Sequence, residues 1–205
     1  MPIRTAITTP IPKVRRKKPI MFGIPCDELM YSRWAMWIVS IPRHPEDLWT
    51  HIIGTYVPFA RNSIHQEFVR SGYDWLFMLD SDVCPNFEIV DILLGHGHKV
   101  VSGWYNTKEI PKKPCVYRET GLVDEHGVPT WEQHAAPGTG VEKVDGIGMG
   151  VMLMHKEVAQ KLGPKPYNEN TGGEDLDLCR QIRALGYDVW IDWSMEAKHI
   201  GLAIY

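Results

Sequence analysis

The segment Trp75-Leu76-Phe77-Met78-Leu79-Asp80-Ser81-Asp82 constrains this chain more than any other. Its first five residues are apolar without alternation, and two carboxylates separated by one small residue end the run. A short, unalternating apolar run fits a strand buried on both faces, as in a parallel sheet covered by helices. In extended geometry residues i and i+2 face the same way, so Asp80 and Asp82 are expected to project together from the strand's end. Two convergent carboxylates stay ionised cheaply only when a cation neutralises them. Mg2+ and Mn2+ prefer oxygen ligands and keep positions open for water and substrate phosphates. Open α/β sheets bind ligands outside the carboxyl ends of their strands, where this pair falls. By itself the segment leaves a surface Asp-Ser-Asp turn open as the alternative.

The pattern on either side is one of alternating strands and helices. Ile20 to Pro25 is a predicted first strand, and Glu28 to Val39 a predicted helix without internal Gly or Pro. Ala60 to Ser71 carries Ile64, Phe68 and Val69 on one face and stops at Gly72, as an amphipathic helix does. After the strand Trp75–Leu79 come a predicted helix, Pro85 to Leu94, and a strand, Lys99 to Gly103. Residues 104–140 are rich in Pro, Gly and Thr, with short alternating stretches that predict irregular hairpins inserted at the sheet's edge. Regularity returns over Val144 to Met154, then as predicted helices Lys156 to Leu162 and Glu174 to Leu185, the latter closed by Gly186. Tyr187 to Trp193 is the last predicted strand. The expected fold is therefore a three-layer α/β domain with a mainly parallel sheet and an irregular β-hairpin insertion. A length of 205 residues with 44% hydrophobic content fits one well-buried domain. It is expected over residues 19–205, after a basic arm over residues 1–18.

A net charge of -3 gives no general attraction to nucleic acid or acidic membranes. Cys26, Cys84, Cys115 and Cys179 lie far apart, in neither zinc-site nor disulfide-framework spacing, and read as reduced thiols of a soluble, cytoplasmic protein. No apolar stretch reaches the roughly 18–20 residues that span a bilayer. The Pro-broken segment after Lys18 is too short for a signal-peptide core. Within the arm, Lys13, Arg15, Arg16, Lys17 and Lys18 form either a solvated tail or a contact to an anionic acceptor.

Several further groups could carry chemistry. Gly146-Ile147-Gly148-Met149-Gly150 precedes an apolar run and does not match the dinucleotide pattern G-x-G-x-x-G. It implies that backbone passes close to a ligand or a neighbouring chain. Gly172-Gly173-Glu174-Asp175 opens a helix. Its carboxylates either only complement the helix dipole or present a general base to a cleft. His199 is either structural or completes a metal shell begun by carboxylates. Arg61 suits phosphate recognition, and Asn62 suits a helix cap. Trp104, Trp131 and Trp193 are either core or a stacking surface. His96 and His98 have no matching partners in the sequence and are expected in a solvated loop.

In this order the groups resemble the GT-A fold glycosyltransferases, the nucleotide-sugar-dependent group related to the family-2 enzymes. Asp80-Ser81-Asp82 is similar to their D-x-D motif, Glu174-Asp175 to their ED motif, His199 to their late metal-ligand histidine, and Val57-Pro58-Phe59-Ala60-Arg61-Asn62 to their nucleotide-contacting segment. The resemblance implies a Rossmann-like architecture and Mn2+ or Mg2+ on Asp82 and His199, with Asp80 on the metal or the ribose. It implies a UDP- or GDP-linked sugar donor whose nucleotide meets Pro25, Arg61, Asp80 and Ser81. Gly148, Gly150 and Trp104 would shape the sugar pocket, and Asp175, with Glu174 in reserve, would act as base in an inverting transfer. The acceptor could be a glycan, a protein, a small molecule or a modified nucleic acid. The Gln/Arg-x-x-Arg-Trp box of processive synthases is absent, since Gln181-Ile182-Arg183-Ala184 does not reproduce it. Two rivals remain. A nucleotidyltransferase would want a Gly-rich phosphate loop where Ile24-Pro25-Cys26-Asp27-Glu28 stands. A carbohydrate- or nucleotide-binding module would need the tryptophans without the carboxylates and His199.

Overall fold

A computed structural model describes residues 16–168 and 173–201. In chain order the elements are β1 (Met21–Cys26), α1 (Ser32–Ser40), β2 (Leu48–Ile53), α2 (Val57–Arg70), β3 (Trp75–Leu79), β4 (Val83–Cys84), α3 (Ile89–Gly95) and β5 (Val100–Trp104). There follow β6 (Val116–Val123), β7 (Pro129–Gln133), β8 (Val141–Val144), β9 (Gly146–Ile147), β10 (Val151–His155), α4 (Lys156–Lys161), α5 (Glu174–Ala184), β11 (Val189–Glu196) and β12 (Lys198–His199).

The central sheet has seven strands in the order β2-β1-β3-β10-β5-β11-β8. Strands β2, β1, β3, β5 and β11 run one way, while β10 and β8 run the other. The sheet is thus mainly parallel, as expected. Its strands are buried on both faces because their apolar residues divide between two layers. Leu76 and Met78 of β3 face α2, α4 and α5 through Ile64, Phe68, Val158, Leu178 and Ile182. Phe77 and Leu79 face α1 and α3 through Trp34, Trp37, Ile89 and Leu93. Successive side chains of an extended strand point to opposite faces, so an unbroken apolar run fills two cores at once.

The insertion forms a three-stranded antiparallel sheet, β7-β6-β9, anchored to the core by Val116 and Ile147. Strand β2 has no counterpart among the sequence expectations, because it is a half-exposed edge strand without an apolar run. Helix α2 begins three residues before the expected Ala60, with Pro58 in its first turn, where a missing N–H costs nothing. Arg16, counted in the arm on composition and lack of periodicity, is docked on the residues that follow. Its buried guanidinium bonds Asp47 and lies 3.3 Å from Asp91. His96 and His98 likewise find partners: His96 Nε2 is 2.8 Å from Asp192, and His98 stacks on Trp190 at 4.0 Å. Among the described residues no helix is long and apolar enough to cross a membrane.

Candidate active site

A cleft of about 740 Å³ opens at the carboxyl ends of β1 and β3. Pro25 to Glu28, the end of β1 and the residues after it, form one wall, Gly54 to Val57 lead into α2, and Asp80, Ser81 and Asp82 leave β3. Glu174 and Asp175, in the first turn of α5, close the far side. The volume lies within the roughly 300–1,000 Å³ range of small-molecule sites. Gly172 lies outside the described residues. Gly173, at φ 131°, holds the turn into α5 in a conformation that other side chains rarely adopt.

Arg61 organises the floor of the cleft. It sits in the second turn of α2, is 3% exposed, and donates to three carboxylates at once. Its Nη2 lies 2.9 Å from Asp80 Oδ1, and its Nη1 reaches Glu174 Oε1 at 2.8 Å and also Asp175 Oδ1. Three carboxylates against one guanidinium leave the cluster with a net negative charge. Burial opposes the charge on Arg61, but Asp175, Asp80 and Glu174 together hold its pKa well above the usual arginine range. Asp175 responds in the other direction. Burial pushes its carboxyl up to about 6; Arg61 opposes the rise, while Glu174 and Asp80 add to it. Its second oxygen accepts the Met149 N–H at 3.1 Å. Asn62 does not cap the helix: its amide pairs with the Tyr167 backbone in both directions, at 2.8 and 3.0 Å.

The two carboxylates of Asp80-Ser81-Asp82 do not project together, contrary to expectation. Strand β3 ends at Leu79, and the chain turns at once, with the Val83 N–H donating to Asp80 O at 3.2 Å. A turn does not preserve the period of two, so Asp80 faces Arg61 while Asp82 faces Lys108 and His199. Two tryptophans of α1 hold this turn from behind. Trp34 Nε1 donates to Asp80 O at 3.0 Å, and Trp37 Nε1 to Pro85 O at 2.8 Å.

The glycine segment lies beside the turn because antiparallel β10 starts where β3 ends, with Val151 opposite Leu79. A Cβ on Gly150 would stand 2.9 Å from Asp80 Oδ2 and 2.9 Å from the Tyr105 hydroxyl. One on Gly148 would stand 2.4 Å from that hydroxyl. Close approach of backbone to neighbouring side chains is what demands glycine here. Tyr105, which the sequence reasoning missed, accepts the Gly150 N–H at 3.1 Å. Trp104 does not line the cleft: it is buried, donates to Trp193 O at 2.8 Å and lies 5.8 Å from the Trp193 ring.

At the opposite end of the turn, β12 pairs with β4 and brings His199 to Asp82. His199 Nδ1 lies 2.7 Å from Asn106 O, a carbonyl that can only accept, so Nδ1 carries the proton of the neutral ring. Its Nε2 lone pair then faces Asp82 Oδ2 across 3.4 Å. The same oxygen accepts from Lys108 Nζ at 2.5 Å. Burial alone would raise the Asp82 pKa, but His199, in the form that carries a proton on Nε2 as well, and Lys108 outweigh it and hold the carboxyl below its usual range. A carboxylate oxygen and an imidazole lone pair, already drawing a cation, form a donor set that fits Mn2+ or Mg2+. Among the described residues no group of three or more His, Cys, Asp or Glu side chains gathers as a ready-made metal cage. No spacing in the sequence points to Lys108, because loop closure alone places it.

No family model matches the chain, and no curated protein matches it. Among solved structures, A197 from STIV matches with a TM-score of 0.69 at 20% identity, over 90% of this chain and 86% of that one. GalNAc-T7 with UDP, GalNAc and Mn2+ matches with a TM-score of 0.61 at 10% identity, over 91% of this chain. The match covers 45% of the GalNAc-T7 chain, so this chain spans less than half its length. At such identities the likeness is one of fold. The protein has a GT-A-like, Rossmann-type α/β fold.

Proposed function

We propose that this protein is a metal-dependent glycosyltransferase that moves a sugar from a nucleotide-sugar donor to an acceptor hydroxyl with inversion. The observation that carries the reading is the meeting of Asp175 and the Asp80–Asp82 turn across one cleft at the strands' carboxyl ends. Asp175 has a base's environment: dry enough to lift its pKa to about 6, yet ionised at neutral pH. It takes the proton of the acceptor hydroxyl as the hydroxyl oxygen attacks the anomeric carbon, and the donor's glycosidic electrons leave with the diphosphate. Glu174, on the same guanidinium, is the alternate base. Asp80, held by Arg61, and Ser81 face the nucleotide together with Pro25 at the end of β1. Arg61 works by orienting carboxylates, since both terminal nitrogens are occupied by them. Gly148 and Gly150, expected to shape the sugar pocket, are buried and do not line the cleft; they leave room for the Tyr105 hydroxyl and, at Gly150, for Asp80, while Trp104 lies in the core.

Asp82 and His199 are the residues that would hold a divalent ion. A bound Mn2+ or Mg2+ supplies Lewis-acid stabilisation of charge on a departing diphosphate. GalNAc-T7, which has this fold, was solved with UDP and Mn2+, and that favours a UDP-linked donor and Mn2+ here. Glycan, protein, small-molecule and modified nucleic-acid acceptors remain the arms of the test. Incubation with a panel of UDP- and GDP-sugars, with and without Mn2+ or Mg2+, is expected to release nucleoside diphosphate only when metal is present. Asp82→Asn should abolish that release while circular dichroism stays native. A folded wild-type protein that hydrolyses or transfers from no donor in the panel would remove the reading.

A further inference from the structure

Lys108 is a cation placed where the metal reading needs one. Its Nζ lies 2.5 Å from Asp82 Oδ2, the oxygen that also faces His199 Nε2 at 3.4 Å. An ammonium on that oxygen and a divalent ion bonded to it would stand only a few ångströms apart and repel strongly. The two cations therefore exclude one another at Asp82. Lys108 is also placed to leave. It begins the tip of the β5–β6 connection, whose base is pinned by Thr107 N donating to Lys113 O and Cys115 N to Tyr105 O, both at 2.8 Å. Beyond that base the tip is free of the core: Ile110 is 93% exposed, and the Lys108 side chain itself is 45% exposed.

We infer that Lys108 is the built-in counter-ion of Asp82, displaced when a divalent cation takes that carboxylate, so that metal uptake and the position of the β5–β6 tip are coupled. The inference rests on the metal reading of Asp82 and His199. Without metal, Lys108 keeps Asp82 ionised and in place. With metal, its ammonium is released at the mouth of the cleft.

Mn2+ binding to the whole protein, followed by electron paramagnetic resonance, tests this together with lysine labelling. Lys108→Met keeps the stem and removes the charge. It should bind Mn2+ about tenfold more tightly or better, the scale of one charge-assisted hydrogen bond. Lys112→Met, in the same tip but away from Asp82, should bind as wild type does, which separates displacement from general charge repulsion. In the wild-type protein, acetylation of Lys108 read by mass spectrometry should accelerate when Mn2+ is added, while that of Lys112 stays constant. Equal or weaker Mn2+ binding by Lys108→Met, or unchanged Lys108 labelling in a protein that binds Mn2+, would overturn the inference and leave the metal reading standing. If neither wild type nor Lys108→Met binds millimolar Mn2+, the metal reading itself falls, and the inference with it.

Discussion

At the scale of single residues, the cleft is organised by competition for a few charges. Asp175 shares Arg61 with Asp80 and Glu174; burial raises its pKa, Arg61 opposes the rise, and the two neighbouring carboxylates add to it. Asp175→Asn should lower kcat by about 10²–10⁴-fold with donor affinity little changed, as expected for a group acting on the acceptor. Wild-type activity should fall as pH drops through about 6, where the base becomes protonated. Stability follows the same proton. A carboxyl whose folded pKa lies above its unfolded value contributes stability that is present below about pH 4 and lost as pH rises through the folded value. Asp175→Asn should therefore not lower Tm at pH 8, and a rise of a few degrees is expected there. Calorimetry at pH 5 and pH 8 checks the sign: a large loss at pH 8 would mean that the ion pair with Arg61 outweighs desolvation. Gly150→Ala tests the close approach. Its new methyl group would press on Asp80 Oδ2 and the Tyr105 hydroxyl, so nucleotide binding measured by titration calorimetry should weaken more than Tm falls.

At the scale of elements, α1 acts as the backing plate of the Asp80–Asp82 turn. Trp34 and Trp37 each use an indole N–H on a carbonyl of that turn or of the residues just after it. Trp34→Phe preserves most of the apolar contact and removes one hydrogen bond, a change worth about 1 kcal/mol. Its effect should appear in donor affinity as well as in Tm, because Asp80 O moves with its carboxylate. Trp37→Phe, whose partner is Pro85 O, should lower Tm with less effect on donor affinity. Equal effects of the two on donor binding would show that the turn is rigid without α1. The elements also differ in how readable they were. Strand β3 was legible to the residue because both its faces are apolar, and α5 because its periodicity runs uninterrupted to Gly186. Strand β2 was not, since Thr50-His51 break its apolar residues into two pairs without alternation, and the antiparallel direction of β10 leaves no trace in its own composition.

At the scale of the whole molecule, Arg16, expected in the arm, pairs with residues of the α/β body. Arg16, five residues before β1, ties the chain there to Asp47, just before β2, and to Asp91 in α3. Its side chain is 6% exposed, so Arg16→Ala removes the counter-charge of buried Asp47, which keeps only the Ile20 and His44 N–H groups, and should cost about 3–5 kcal/mol in urea unfolding. Lys18→Ala, which breaks an exposed pair with Asp74, should cost less than about 1 kcal/mol. Similar costs for the two would place Arg16 outside the domain.

The sequence by itself determined the α/β class, the buried strand that delivers Asp80, and the helix start that carries Glu174 and Asp175, because burial and periodicity are local patterns of residue type. It also brought into view Asp82 and His199, each ambiguous singly and singled out by the order of the motifs along the chain. Only the tertiary structure decided which groups face one another. The turn after Leu79 separates Asp80 from Asp82; Arg61, 19 residues from Asp80 and 113 from Glu174, binds both. Lys108 and Tyr105 join the cleft through loop closure and strand order. Such meetings depend on where the chain returns in space, and no local pattern of residues encodes that.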